Sequence, residues 1–100
     1  MKTVGNTLTV GRVPNYWSRG ATDEMKRKLY SVEHLKVEYI GENAFEGLKF
    51  NLKSLTANTI GSDAFKDCHG TIGRLEAKKI DFGGIMGHRL KIHSMYVDQM

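Results

Sequence analysis

The sequence predicts an α/β repeat fold: a short solenoid of four 20-residue units, with a parallel β-sheet on one face and short helix or loop crossovers, behind an N-terminal segment that is irregular or a hairpin. Three observations predict it. The phrase Ile40-Gly41-Glu42-Asn43-Ala44-Phe45 returns as Ile60-Gly61-Ser62-Asp63-Ala64-Phe65. Apolar columns persist at the same offset: Ile40, Ile60, Ile80 and then Met100; Met25, Phe45, Phe65 and Ile85; Val32, Leu52, Ile72 and Ile92; Leu35, Leu55, Leu75 and Met95; Val37, Ala57, Ala77 and Val97. Each unit ends like Leu52-x-x-Leu55-x-Ala57, whose final period-two alternation marks a short half-buried strand. One such strand per unit stacks as a parallel sheet.

Residues 1–19 lie outside this register and form the N-terminal cap, while residues 20–100 form the repeat region of the same single domain. Gly5-Asn6 stands between Val4 and the alternating Leu8 and Val10, which predicts a small hairpin. Tyr16 and Trp17 follow with large apolar surface. They either cover the open end of the first coil or serve as an aromatic hot spot for a partner.

The units run over residues 20–39, 40–59, 60–79 and 80–99. In the first, Thr22 precedes DEMKRKLY, where acids lead and bases follow, as a helix dipole prefers. In the third, Ser62 or Asp63 is placed to cap a turn or short helix, Ala64 permits close approach of the neighbouring coil, and Phe65 points inward. The fourth replaces that Ala-Phe pair by Gly84 and Ile85, and its adjacent glycines predict a loop. Met100 opens a fifth unit that is never built.

Residues 40–68, IGENAFEGLKFNLKSLTANTIGSDAFKDC, resemble the BspA-type leucine-rich repeats, whose hallmark is I-G-x-x-A-F-x-x-C followed by L-x-x-L. Cys68 falls where that family places its cysteine, with Leu48 and His88 at the equivalent positions. The unit here is a short 20-residue variant. The resemblance implies a right-handed solenoid with a protein-binding role and no enzymatic activity.

Hydrophobic residues make up 40% of the 100-residue chain and charged residues 26%, the balance of one packed domain. No apolar run reaches the roughly 18 residues of a membrane span, and the N-terminus lacks a secretory apolar core, so a cytoplasmic location is expected. The lone Cys68 has no internal disulfide partner. A formal net charge of +4 mildly favours acidic partners, yet the charges are well mixed.

Nucleotide-loop, nucleophile-elbow, zinc-protease and C-x-x-C motifs are all missing, so neither an enzyme nor a cofactor is expected. Cys68-His69 is either a buried structural thiol beside an unrelated imidazole or a reactive pair. The four histidines have no metal-ligand spacing. The run Lys26-Arg27-Lys28 is either a solvated helix face or a phosphate contact.

With Leu55 and Ala57 inward, the residues between them face out, and the register builds three outward rows. They are His34-Ser54-Arg74-Ser94, Lys36-Thr56-Glu76-Tyr96 and Glu38-Asn58-Lys78-Asp98. Arg74 and Tyr96 are residue types enriched in hot spots and are the expected anchors of a partner-binding face that includes His34, Lys36, Thr56, Glu76, Lys78 and Asp98. The C-terminal strand has no following unit, so Ile85, Met95, Val97 and Met100 are expected to form a homodimer interface unless a partner strand covers them.

The expected function is a non-enzymatic protein-binding module, an inhibitor or adaptor that occupies a macromolecular partner's surface. Its size and class are those of many phage or mobile-element inhibitors, anti-defence and anti-CRISPR proteins among them. The alternative is a nucleic-acid-binding protein using Lys26, Arg27, Lys28, Lys78, Lys79, Arg89 and Lys91.

Overall fold

The computed structural model describes residues 2–81, 83 and 89–99. Among them six strands form one sheet in chain order: β1 (Lys2–Val4), β2 (Thr7–Val13), β3 (His34–Ile40), β4 (Lys49–Ile60), β5 (His69–Ile80) and β6 (Arg89–Gln99). The first pair is antiparallel, turning at Gly5 and Asn6 where the sequence predicts a hairpin, and every later pair is parallel. Two helices, α1 (Trp17–Gly20) and α2 (Asp23–Tyr30), lie between β2 and β3. This is an α/β fold with a mostly parallel sheet and little helix.

From β3 to β6 the strands pair at an offset of 20 residues: Leu35 opposite Leu55, Leu55 opposite Leu75, and Leu75 opposite Met95. The strands are longer than the short ones expected, with 12 residues in β4 and 12 in β5. On β4 the buried positions are Phe50, Leu52, Leu55, Ala57 and Ile60, so the spacing of two breaks after Leu52 and again after Ala57. At both breaks one residue, Lys53 or Asn58, drops out of the paired register. Side chains alternate faces along a straight strand. Each break therefore puts two successive side chains outside and divides the strand into three legs, residues 49–52, 54–57 and 59–60, that wrap the core.

The core stacks like on like from strand to strand. Leu35, Leu55 and Leu75 are almost fully buried, as are Ile40 and Ile60. Phe45, Phe50 and Phe65 form a triangle with ring centroids 5.4, 5.6 and 5.5 Å apart. Each such side chain contributes on the order of 2 kcal/mol through removal of its surface from water.

The repeated Ile-Gly-x-x-Ala-Phe phrase is a turn in both copies, without the helix that was the alternative reading. Its residue types follow from how closely the turns stack. Asn43 donates its backbone N–H to Ser62 O at 3.1 Å, Phe45 to Ala64 O at 2.9 Å and Gly47 to Lys66 O at 2.9 Å. A β-carbon at Gly61 would lie 2.9 Å from the carbonyl carbon of Gly41, so that position admits only hydrogen. Asn43 and Asp63 hold φ of +53° and +54°, a left-handed conformation that Asn and Asp tolerate better than most residues.

The N-terminal segment enters the sheet in a register of its own. Thr7 pairs with His34, Leu8 with Leu35 and Val13 with Ile40, an offset of 27 instead of 20. Beyond β2, Tyr16 N–H donates to Glu42 O at 2.8 Å and Ser18 N–H to Ala44 O at 2.9 Å, so residues 14–19 lie on the 41–46 turn as that turn lies on 61–66. Ser18, and not Met25 as the 20-residue column has it, takes the place equivalent to Phe45. The extra length is spent on α2, whose Thr22 accepts from Met25 N–H at 3.2 Å, the cap that the sequence predicts.

Candidate partner-binding face

The second legs of the strands bring the predicted face together. His34, Ser54, Arg74 and Ser94 are successive partners across the sheet, and so are Lys36, Thr56, Glu76 and Tyr96. Lys36, Arg74, Glu76, Lys78, Tyr96 and Asp98 are exposed, while His34 and Thr56 are half-buried. Neighbours along a row stand about 4.8 Å apart, close enough for their side chains to lock one another.

They do so at three places on the face. His34 Nδ1 and Ser54 Oγ hydrogen-bond at 2.6 Å. Asn58 donates from its side-chain amide to the Glu38 carboxylate. The Arg74 guanidinium lies over the Tyr96 ring, 4.2 Å from its centroid, although Tyr96 is still 53% exposed. Asn58, Lys78, Glu76 and Asp98 surround a shallow depression beside this pair. The arrangement presents one preorganised aromatic-guanidinium plate amid polar groups of both signs.

Tyr16 and Trp17 lie elsewhere and part company. Trp17 is half-buried and edge-on to Phe45, with centroids 5.9 Å apart, and lines an apolar cavity of about 220 Å³ with Leu8, Val13 and Leu29. Tyr16 is 41% exposed and faces the Arg19 guanidinium at 4.6 Å. Arg19 in turn pairs with Glu46 at 2.8 Å, and that hydrogen-bonded cation holds the Glu46 carboxyl below its usual range.

Cys68 is buried and its thiol donates to Phe45 O at 2.8 Å, whereas the adjacent His69 is exposed. Burial pushes the thiol up to about 12, so it stays protonated at neutral pH. Among the described residues no cluster of potential ligands could hold a metal ion, and no helix is long and apolar enough to cross a membrane.

At the C-terminal edge Met95 is 42% exposed and Val97 half-buried, with no strand beyond them among the described residues. Ile85 and Met100, the other two residues expected at a dimer interface, lie outside the described residues.

The basic residues of the nucleic-acid alternative are not gathered into one stripe. Lys26, Arg27 and Lys28 are on α2, Lys78 and Lys79 on the later legs of β5, and Arg89 and Lys91 on the first leg of β6. That first leg belongs to an exposed face that the reading of short strands misses. Lys49, His69 and Arg89 are successive partners across it, followed by Asn51, Thr71 and Lys91. The signal was present as a further pair of outward columns at the 20-residue offset, hidden because the strands were expected to begin only near Leu52.

Comparison of the chain with protein-family models, with curated proteins and with solved structures finds no match.

Proposed function

We propose that this chain is a protein-binding module without enzymatic activity, a short BspA-type leucine-rich-repeat solenoid of four units that occupies a macromolecular partner's surface as an inhibitor or adaptor. The observation that carries the reading is the Arg74–Tyr96 pair at 4.2 Å, a large exposed aromatic already held by its neighbour. Holding it in advance lowers the ordering entropy that binding must overcome. The mixed charges around it supply specificity more than affinity. The phage or mobile-element inhibitor class fits a module that presents a recognition face and carries no catalytic motif. Affinity capture from host lysate followed by mass spectrometry tests this: wild type retains one stoichiometric protein that Arg74→Ala/Tyr96→Ala does not, and retention of nucleic acid alone contradicts it.

The free state is proposed to be a homodimer through the β6 edge. The exposed Met95 on β6, whose outer edge has no partner strand among the described residues, supports this, since a two-fold axis lets one patch cover itself. Val97→Lys then gives a monomer by light scattering, and a wild-type monomer at high micromolar concentration refutes the dimer.

A further inference from the structure

The first legs of β4, β5 and β6 form a face of one charge sign. Its outward positions, by row, are Lys49, His69 and Arg89; then Asn51, Thr71 and Lys91. A third row is set at the first corner by Lys53, Gly73 and His93. Thr71 and Gly73 are half-buried and the other residues are exposed, and no carboxylate projects from these legs. The acids nearby sit at the rim. Glu33 pairs with Lys53 at 2.9 Å, and Asp67 shares an open depression with His69 and Arg89. Lys49, Arg89 and Lys91 supply three fixed cations, with Asp67 at the rim beside Arg89, set on a lattice with about 4.8 Å between neighbouring strands and about 6.6 Å between outward positions along one strand. Beside Lys49 and Asn51 stands Tyr30, the last residue of α2, 44% exposed.

We propose that this face binds single-stranded nucleic acid, with Lys49, Arg89 and Lys91 on the phosphates and Tyr30 stacked on a base. Two features favour a polyphosphate over an acidic protein. Cores of protein interfaces are depleted in lysine and built on apolar anchors, and this face has cations and small polar groups at its centre with no apolar anchor. The aromatic stands at the margin, where a stacked base reaches it while the backbone tracks the cations. Asn51 and Thr71, between the cationic rows, offer hydrogen-bonding groups to sugar and phosphate oxygens. This site is separate from the Arg74–Tyr96 face and stands whether or not that face binds a protein.

The test is fluorescence anisotropy with a labelled oligothymidylate of roughly 20 nucleotides, longer than the site sizes of comparable single-strand binders. Three phosphate contacts give a slope of log K against log salt of roughly −2, or about fifteenfold weakening between about 50 and 200 mM salt. Lys49→Gln/Lys91→Gln reduces that to about threefold. Arg12→Gln/Lys66→Gln, which removes the same charge from exposed positions elsewhere, leaves the slope unchanged. Tyr30→Ala lowers affinity about tenfold at constant slope, the scale of one lost base stack. The proposal is overturned if wild type does not bind at low salt, if both double variants lose affinity equally, if Tyr30→Ala binds as wild type, or if polyglutamate of matched length binds as well as the oligonucleotide.

Discussion

Trp17 meets Phe45 edge-on, with ring planes at 86° and centroids 5.9 Å apart, and this contact closes the N-terminal end of the aromatic core. Its neighbour Tyr16 holds φ of +57° at the position equivalent to Asn43 and Asp63. Trp17→Ala should therefore cost about 2–3 kcal/mol, somewhat less than a fully buried aromatic. Tyr16→Gly should be neutral or stabilising, because it releases a left-handed conformation that costs non-glycine residues about 1 kcal/mol or more. Thermal melts of the two variants should move in opposite directions or differ by several degrees. A larger loss for Tyr16→Gly would reverse the assignment of roles.

Gly70 has φ of +107°, and a β-carbon there would lie 2.0 Å from Phe50 O. Gly47 also has a positive φ, +76°, yet a β-carbon on it meets nothing within 4 Å. Gly70→Ala should destabilise by more than about 3 kcal/mol, and Gly47→Ala by only about 1 kcal/mol. Urea titration separates them, and equal midpoints would mean that β4 and β5 are not stacked this closely.

Leu55 and Phe65 are both fully buried at 0% exposure. Leu55→Asp or Phe65→Asp places a carboxylate where no cation can reach it, at a cost of several kcal/mol, comparable to the whole stability of a domain this size. Circular dichroism should show an unfolded chain at room temperature for each, and native-like melting of either would refute the core.

The Glu46 carboxyl is held below its usual 4.5 chiefly by its hydrogen bond from Arg19. A carboxyl with a depressed folded pKa adds stability that is present above the unfolded value and is lost as pH falls through the folded one. The loss thus begins below about pH 4.5. Glu46→Gln should make the acid limb of the stability–pH curve shallower there while changing neutral stability little, since Arg19 is exposed. An unchanged acid limb would mean that the pair does not hold α1 to the turn in solution.

The register of β3 to β6 was legible because the same residue types recur at the same offset, and pairing at that offset stacks like on like. The second-leg face followed at once, since alternation fixes Arg74 and Tyr96 as outward once Leu75 is inward. Two things were hidden. The Pro14–Arg19 turn carries the backbone path of Gly41–Glu46 with almost none of its side chains: Tyr16 stands for Asn43, Trp17 for Ala44 and Ser18 for Phe45. It is held in place by backbone hydrogen bonds, which leave no residue signature, and by side-chain bonds of Asn15, Ser18 and Arg19, residue types that the repeated phrase does not carry at the equivalent positions. The first legs were missed for a different reason, because Gly70 leaves an inward position without a side chain and so interrupts the apolar alternation between Phe50 and Leu90.

The central claim is that the Arg74–Tyr96 plate anchors a protein partner, and calorimetric titration of the captured partner tests it most directly. Arg74→Ala/Tyr96→Ala should weaken binding by about 2 kcal/mol or more, roughly thirtyfold, while the melting temperature stays within a degree or two because both side chains are exposed. Wild-type affinity in the double variant would contradict the account and move the binding site to the turns or the ends of the sheet.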